Sequence, residues 1–463
     1  MALGDLSGSR AAAAAGIGSG SWLDMWTNGL EVGQGAGMTN PTEWDVAIAG
    51  AGTAGSAAAL HCARLGLSTI CLDNNAHHQA GAHWQNAVPG WMFKEAGLAR
   101  PTGQELIGGG EPFHLFAGTG STSITINGLD LLDVDMARLV ARLQRLAIDK
   151  GAQFRGSTRI RGLSEDGLVT DTGIIKARWY VDASGMTGAR LLDQPRVKPG
   201  DICSAAQEVR TVADMTEARR FFAKRGAVAG EAVAFTAIAG GFSTLNVRMD
   251  GDQVALLTGS IPANGHPSGQ RMMSEFVAAQ PWIGRKVSGG HRAIPLRRPY
   301  DRLANDRVAL IGDAACQVYP AHGSGIGPGL IAARVLAEEL AGGGSAHSYG
   351  VRWMRQWGPT LVSADQFRRY SETLDARTLA RLLSSGLINA STAGRALAER
   401  LPAPSVGAAR SMAVGAVREP ILAARLGQVL ARSSALVALY SQYPSQPAAL
   451  PAWSRAVAIA AAG

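Results

Sequence analysis

The sequence predicts an α/β protein built from a parallel sheet, an inserted antiparallel sheet and a C-terminal helical region. Short apolar runs alternate with glycine-rich turns and helical segments in residues 43–75 and again in residues 306–340. This is the pattern of parallel strands joined by helices. Two strand-like stretches on either side of residue 251 are joined by a short turn, which is typical of a hairpin. After residue 345, apolar positions recur three and four apart, which is the helical spacing.

Composition excludes several classes of protein. The chain has 463 residues, of which 58 are glycine and 17% are charged, so it is neither a disordered chain nor a charged coiled coil. Its four cysteines are far apart and form no CxxC pair, which argues against a disulfide framework and a zinc site and favours a reducing, cytoplasmic compartment. We expect no metal site, and no membrane span because no run of 18 uncharged apolar residues occurs.

The N-terminal segment is rich in glycine, alanine and serine. Its alanine run leads into Gly16-Ile17-Gly18-Ser19-Gly20 and not into a leucine-rich segment. Residues 1–39 are therefore predicted to be a flexible extension and not an export signal.

The first motif follows a predicted strand over residues 45–49. Gly50, Gly52 and Gly55 give the spacing G-x-G-x-x-G and lead into a helix. This spacing permits a tight turn, close approach of the backbone to a pyrophosphate, and close packing of helix on strand. The helix N-terminus then offers free N–H groups to the phosphates. Asp73 ends the next strand, where its carboxylate can accept hydrogen bonds from a ribose.

A second motif follows a strand predicted over residues 308–311. Gly312 and Asp313 form a turn that carries one carboxylate, and a glycine-rich loop then opens another helix. That loop contains Pro320, Gly323 and Gly325.

The second motif, G-D-A-A followed by P-x-x-G-x-G, resembles the second flavin motif of the p-hydroxybenzoate-hydroxylase-like flavoproteins. The resemblance implies that FAD is the cofactor, that Asp313 binds its ribityl chain, and that the loop over residues 320–325 lies against the pyrimidine side of the isoalloxazine. A helix N-terminus there would stabilise negative charge on the reduced ring.

A third segment, Tyr180 to Arg190, is similar to the D-G-x-x-S-x-x-R element of the same family. Gly185 and Arg190 fit the element, whereas Ser184 and Gly188 depart from it. Arg190 is therefore a candidate FAD ligand. Because the element also serves nicotinamide handling in that family, the electron donor is either NAD(P)H or a separate reductase.

The family resemblance also predicts the domain boundaries. A Rossmann-type FAD-binding domain comprises residues 40–195 and 290–345. Between them, residues 196–289 form an antiparallel sheet that binds substrate, with a hairpin turn at Asp250-Gly251-Asp252. Residues 346–463 form the helical C-terminal region.

Aromatic and polar residues near the two motifs are candidates for the substrate site. Substrate would be bound by Trp84, Gln85, Trp91 and Tyr319, although buried aromatics commonly serve the core. Lys94 matches the setting of the essential lysine in flavin-dependent tryptophan halogenases. His322, inside the flavin loop, is a candidate for proton transfer because an imidazole titrates near neutral pH.

The resemblance implies an FAD-dependent monooxygenase that hydroxylates an aromatic substrate through a C4a-hydroperoxyflavin. Three segments, Trp84 to Lys94, Arg298 to Leu303 and Trp353 to Leu374, resemble the flavoproteins that mature tryptophylquinone cofactors by oxygenating a Trp of a partner polypeptide. Three alternatives remain: a flavin-dependent halogenase, a geranylgeranyl-reductase-like enzyme, and a flavin-free escort protein.

The excess positive charge lies at the C-terminus. Residues 345–463 contain thirteen arginines and five acidic residues. The arginines either cover solvated helix faces or form a docking surface for an acidic macromolecule. In the second case Arg368, Arg369 and Arg377 are expected to be exposed and to contribute to docking. Nucleic acid is not the expected partner, because no RNA-binding signature is present.

Overall fold

A computed structural model describes residues 43–462 of the chain, so the predicted extension over residues 1–39 lies outside the described residues. The strands in this range are β1 (Trp44–Ala49), β2 (Thr69–Leu72), β3 (Gln85–Pro89), β4 (Leu106–Gly109), β5 (Phe113–Ala117), β6 (Ser123–Ile126), β7 (Leu131–Asp135), β8 (Gln153–Arg155), β9 (Ile160–Leu163), β10 (Leu168–Thr170), β11 (Gly173–Ile175), β12 (Ala177–Asp182), β13 (Ile202–Val212), β14 (Ala232–Thr236), β15 (Ser243–Asp250), β16 (Gln253–Ser260), β17 (Ile283–Pro295) and β18 (Val308–Leu310).

The α-helices in the same range are α1 (Thr53–Arg64), α2 (Gly90–Glu95), α3 (Met136–Ile148), α4 (Met215–Ala223), α5 (Gly269–Ala278), α6 (Ile326–Ala341), α7 (Ala346–Gln356), α8 (Gly358–Ser371), α9 (Ala376–Ser385), α10 (Ala390–Leu397), α11 (Val406–Arg418), α12 (Pro420–Ser441) and α13 (Leu450–Ala462).

The predicted parallel sheet is confirmed. Its five strands lie in the order β18-β12-β1-β2-β8, and every neighbouring pair is parallel. All but one residue of the central strand β1 are buried, as expected for a strand covered on both faces. The late strand β18 joins the edge by pairing with β12, where Val308 lies opposite Tyr180. The turns after β1 and β18 therefore open at the same edge of one sheet.

The second large sheet has the order β17-β13-β16-β15-β14-β5-β6 and is antiparallel except at the pair β14 and β5. The predicted hairpin is confirmed, because β15 and β16 pair up to Asp250 and Gln253 at the turn. Buried and partly exposed residues alternate along β15, so one face of the strand points into a core. The strands β5 and β6 reach this sheet from an earlier part of the chain.

Helices dominate the chain after residue 345, as predicted. The amphipathic pattern of residues 376–401 forms two helices, α9 and α10, and not one continuous helix. α9 ends at Gly386, whose φ of +84° is the left-handed conformation of a glycine cap. The buried residues Leu379, Leu382 and Leu383 lie on one side of α9, as the periodicity predicts.

The prediction that Arg368 is exposed is wrong. The side chain of Arg368 is fully buried and pairs with Asp365 at 3.0 Å, with Asp201 at 2.9 Å, and with Glu372. Asp201 lies far away in the sequence, so this partner was not visible from the local pattern. Arg369 shares Asp365 and Asp201 and is about half exposed, and Arg377 is exposed as expected.

Within residues 43–462, α12 is the one helix long and apolar enough to cross a membrane, judged by length and composition. α12 does not meet the sequence criterion of 18 uncharged apolar residues, because Arg425 and Arg432 interrupt its apolar residues. Only 28% of its most apolar stretch is buried. The buried positions recur every three or four residues and pack against α8.

Candidate functional site

The turn after β1 contains two glycines, Gly50 and Gly55, that tolerate no side chain. Gly50 has φ +104°, and a Cβ there would lie 2.5 Å from the carbonyl oxygen of Ala183. A Cβ at Gly55 would lie 1.8 Å from the carbonyl oxygen of Gly50. Gly52 is the N-cap of α1, and no acidic residue occupies the first turn of the helix. The N-terminus of α1 is thus held close to the end of β1, with its positive end free for an anion.

Asp73 follows β2 at the same edge of the sheet. One oxygen of its carboxylate accepts a hydrogen bond from the backbone N–H of Ala51 at 2.8 Å, and the other accepts from the N–H of Asn75 at 2.9 Å. These bonds fix the carboxylate beside the first turn. A carboxylate has about four acceptor positions, so Asp73 retains capacity for the hydroxyls of a ribose.

The turn after β18 forms the other side of the site. Gly312 has φ +64°, and its N–H donates to the side-chain oxygen of Gln317 at 2.8 Å. Asp313 is partly exposed, and desolvation by the surrounding protein raises the pKa of its carboxyl while the nearby Arg292 opposes that shift. A Cβ at Gly325 would lie 3.0 Å from Oδ1 of Asp313. Gly325 is also the N-cap of α6, whose first turn has no acidic residue.

Both turns open into one cleft of about 490 Å³. Predicted residues that line it are Gly50, Gly52, Asp73, Gly312, Asp313, Gly323, Gly325 and Trp84. The cleft therefore has two helix N-termini along its wall and a carboxylate from each turn. These groups suit a dinucleotide. Its anionic pyrophosphate accepts hydrogen bonds from the N–H groups of the helix N-termini, and its ribose or ribityl hydroxyls donate to the carboxylates. The residues present fit FAD.

Three other predicted cofactor residues do not line this cleft. Gly55 lies behind it and allows α1 to approach β1. Pro320 is buried at the start of the flavin loop. Arg190, with φ +52°, lines a separate cavity of about 290 Å³, where its guanidinium donates to the carbonyl oxygen of Gln194 at 2.6 Å.

The two departures in the third segment are coupled to each other. The hydroxyl of Ser184 donates to the buried carboxylate of Asp182 and accepts from the N–H of Ala189 at 2.6 Å. A Cβ at Gly188 would lie 2.0 Å from that hydroxyl oxygen. The residue at 188 must therefore be glycine when Ser184 adopts this conformation. Both Ser184 and Gly188 line the cleft.

Tyr319 and His322 belong to the loop that precedes α6. The N–H of Tyr319 donates to the carbonyl oxygen of Ser324 at 2.7 Å, and the N–H of Gly323 donates to the carbonyl oxygen of Tyr319 at 2.9 Å. The rings of Tyr319 and His322 lie 4.8 Å apart. His322 keeps exposed surface, yet dense protein around its ring lowers the pKa to about 4, so the imidazole is neutral at pH 7. Burial raises the pKa of Tyr319.

The structure separates the other predicted substrate residues. The backbone of Gln85 is paired with the side-chain amide of Gln207, at 2.7 and 2.8 Å. Trp91 donates from its indole to the carbonyl oxygen of Ala398 at 3.0 Å and stacks on Trp357. Like Tyr319 and His322, neither Gln85 nor Trp91 lines the cleft.

Lys94 is not brought to the cleft either. The helix α2 buries Met92 and Phe93, whereas Lys94 is exposed. Because the apolar side of this short helix faces the interior, the ammonium group is left in water. The catalytic role suggested by the halogenase resemblance therefore lacks geometric support.

Sequence reasoning missed two residues near the site. Arg292 of β17 lines the cleft and donates to the carbonyl oxygen of Gly81 at 2.5 Å. Its one signal in the sequence is that Arg292, in the segment from Gly290 to Pro295, stands where the W-x-W-x-I-P signature of flavin-dependent halogenases has a tryptophan. Glu399 is only 2% exposed and has φ +54°, and neither of its carboxyl oxygens has a hydrogen-bond partner in the described residues. Burial raises its pKa to about 8, against the effect of the Ser324 hydroxyl. No local pattern in the sequence indicated that Glu399 is buried, because a glutamate near arginines is typical of a solvated helix face.

No family model matches the chain. Among curated relatives, a digeranylgeranylglycerophospholipid reductase of Sulfolobus acidocaldarius is 24% identical over 450 residues, which cover 90% of this chain and 96% of the relative. The corresponding reductase 2 of Methanothermobacter thermautotrophicus is 26% identical over 74% of this chain and 91% of its own length. A menaquinone reductase of Mycolicibacterium smegmatis is 25% identical over 74% of this chain and 85% of its own length.

Solved structures share the fold. A geranylgeranyl bacteriochlorophyll reductase-like protein of Thermoplasma acidophilum superposes with a TM-score of 0.67 at 15% identity and covers 84% of this chain and 99% of that one. A halogenase gives a TM-score of 0.59 at 17% identity over 90% and 97% of the two chains. A flavin-dependent brominase gives 0.57 at 16% identity over 77% and 94%. The predicted fold class is confirmed.

Proposed function

We propose that this chain, an FAD-dependent oxidoreductase, hydrogenates carbon–carbon double bonds of an isoprenoid lipid. The observation that carries the proposal is the likeness, along 90% of the chain, to a digeranylgeranylglycerophospholipid reductase. The menaquinone reductase adds support, because menaquinone also carries an isoprenoid chain. The proposal takes up the reductase alternative of the sequence analysis.

Hydrogenation of a double bond needs a hydride equivalent at one carbon and a proton at the other. Bound, reduced FAD supplies the hydride equivalent. The chain itself would hold the cofactor with Gly50, Gly52 and Asp73 at one end and with Gly312 and Asp313 at the other, as the shape of the cleft suggests. The two helix N-termini along the cleft favour negative charge on the phosphates and on the reduced ring.

The substrate would lie beside the second turn, where Trp84 and Ile294 offer apolar surface and Asn86 and Arg292 offer polar groups. We assign His322 to proton handling at this end, because its loop meets the second turn. The buried phenol of Tyr319, which keeps its proton at pH 7, would donate that proton to the second carbon. The neutral imidazole of His322, 4.8 Å away between ring centres, would pass a proton from water back to the phenolate. Lys94 has no role in this proposal.

The test uses the FAD-loaded protein, reduced chemically in the absence of oxygen and mixed with a detergent-dispersed geranylgeranyl phospholipid. A chemical reductant avoids the open question of whether NAD(P)H or a separate reductase is the natural donor. Mass spectrometry is expected to detect the gain of two hydrogen atoms for each double bond reduced. Unchanged lipid, together with complete reoxidation only on admission of oxygen, would overturn the proposal.

A pair of variants tests the assignment of the proton-handling residue. His322→Ala is expected to lower the turnover number by about 100-fold or more, the usual contribution of a positioned acid–base group. Lys94→Ala is the matched control and is expected to leave turnover unchanged, because the side chain is exposed on α2. FAD absorbance of each variant should equal that of the parent. Equal turnover of His322→Ala and the parent would refute the role of His322.

A second candidate is the hydroxylation of an aromatic substrate, including a tryptophan of a partner polypeptide. It is favoured by the likeness in fold to a probable FAD-dependent monooxygenase of Pseudomonas aeruginosa, with a TM-score of 0.53 at 16% identity. The same reduced protein, exposed to oxygen with a Trp-containing peptide, would then add oxygen atoms to the peptide. A gain of oxygen by the peptide, without a gain of hydrogen by the lipid, would replace the first proposal with the second.

A further inference from the structure

Large apolar side chains are exposed on two consecutive C-terminal helices. Val406, Val414 and Val417 of α11 are 89%, 46% and 83% exposed, and Ile421 of α12 is 68% exposed. Single exposed apolar residues are ordinary, but a group on adjoining turns marks an interaction surface. α11 ends at Arg418 and α12 begins at Pro420, so Val417 and Ile421 lie on either side of the helix junction.

The same helices carry almost only positive charge. Residues 401–463 contain five arginines and one acidic residue, Glu419. Glu419 is paired with Arg381 of α9. Arg410, Arg418 and Arg425 are exposed, and none of them forms an ion pair with any residue in 43–462. We call the surface formed by Val406, Arg410, Val414, Val417, Arg418, Ile421 and Arg425 the α11–α12 face.

A groove of about 500 Å³ adjoins this face. Its apolar wall includes Leu383, Ile388 and Val414, and its polar groups include Arg410, Arg418 and Ser411. A ligand that fits both walls carries an anionic group next to hydrocarbon. A phospholipid has this arrangement at the boundary between headgroup and acyl chain.

The helix α12 lies along the protein and does not cross the bilayer in this arrangement. Its inner stripe, which includes Leu422, Leu426 and Leu436, is buried against the rest of the chain. A spanning helix would have to release that stripe. A helix that keeps one apolar face in the protein and turns an apolar and basic face outward can lie in the interfacial plane of a membrane.

We propose that the α11–α12 face docks the protein on the surface of an anionic lipid bilayer. The arginines would be attracted to the negative headgroups, and the valines and Ile421 would enter the region between headgroups and acyl chains. Three exposed arginines without an ion-pair partner in residues 43–462 lie beside exposed apolar side chains, and an anionic headgroup above acyl chains complements both features. This charge complementarity favours an anionic lipid surface, whichever reaction the cleft performs.

The experiment measures flotation of the full-length, FAD-loaded protein with vesicles. One set contains phosphatidylcholine alone and the other a mixture of phosphatidylcholine and phosphatidylglycerol. We expect the anionic vesicles to bind at least about ten-fold more tightly, because several arginines lie at the surface, and we expect binding to weaken as salt rises. Equal binding to both sets, or no binding to the anionic vesicles, would overturn the proposal.

Substitutions locate the surface. The double variant Val417→Glu with Ile421→Glu is expected to weaken binding by at least about ten-fold, because burial of one such side chain is already worth that much. Val228→Glu is its control, since Val228 is 64% exposed outside the face. Arg418→Gln is expected to weaken binding about five-fold, and the exposed Arg219 of α4 gives the control Arg219→Gln. Losses of equal size in the variants and their controls would refute the assigned face.

Two further measurements distinguish this docking proposal from the proposed function. Circular dichroism and FAD content should be the same for all four variants, because every changed side chain is exposed. Turnover on detergent-dispersed lipid should also be unaffected by the changes on the α11–α12 face. If the protein binds anionic vesicles but does not hydrogenate the lipid, only the proposed reaction is rejected. If it hydrogenates the lipid but does not bind the vesicles, only the docking surface is rejected.

Discussion

Glycine serves different purposes in the cleft and on the α11–α12 face. At the cleft, a Cβ on Gly50 or Gly55 would collide with backbone oxygens at 2.5 and 1.8 Å. On α11 and α12, a Cβ on Gly407 or Gly427 would meet nothing within 4 Å. The cleft is thus assembled by close backbone contacts that only glycine permits, whereas the C-terminal helices leave their outer side open. A high glycine content by itself does not distinguish these two situations.

The largest effect of a single substitution is expected at Gly55. We expect Gly55→Ala to lower the free energy of unfolding by more than about 4 kcal/mol, because the added methyl group can be accommodated only by moving α1 away from β1. Chemical denaturation followed by circular dichroism measures the change. Because α1 also presents its N-terminus to the cleft, FAD affinity should fall with stability.

The matched control for Gly55→Ala is Gly427→Ala on α12. This change meets open space, and alanine has the higher helix propensity, so we expect a gain in stability of about 0.5–1 kcal/mol. A loss of stability of similar size in both variants would contradict the contrast between a tightly packed glycine at 55 and an open position at 427.

Arginine shows the same contrast between the interior and the open helices. Arg368 is buried among Asp365, Asp201 and Glu372, whereas Arg425 is exposed on α12. Both lie in helices with apolar positions three and four apart, but acidic residues stand at helical spacing on either side of Arg368 and not of Arg425. Asp201, which comes from a distant part of the chain, completes the buried cluster around Arg368.

The parts of the site that depend on local backbone conformation could be predicted from the sequence. Gly50 and Gly312 indicate their turns, because both adopt a positive φ that other residues rarely adopt. Strand runs and the hairpin were predictable for a similar reason, since their period is local. The parts that depend on distant partners could not be predicted. Trp91 contacts Ala398 and Trp357, and nothing near Trp91 in the sequence indicates that contact.

Glu399 lies where the C-terminal region meets the loop over residues 320–325. Its buried carboxyl makes the stability of this region depend on pH. Its carboxyl is buried next to Ser324, and burial raises its pKa to about 8 from an ordinary 4.5. Between those two pH values the unfolded chain loses this proton while the folded chain keeps it. The folded state then binds more protons than the unfolded state, so this group makes stability fall as pH rises from 4.5 to 8.

Glu399→Gln removes that dependence, because the amide does not ionise in either state. Each unit of pKa shift corresponds to about 1.4 kcal/mol, so from pH 5 to pH 7 we expect the variant to gain at least about 1.4 kcal/mol relative to the parent. Urea denaturation of both proteins at several pH values gives the difference. Arg400→Gln, at the exposed neighbouring position, should show no such trend. If the free energies of unfolding of Glu399→Gln and the parent differ by the same amount at every pH in this range, Glu399 is ionised in the folded protein. The interior around Glu399 would then be open to water, as the α11–α12 face is.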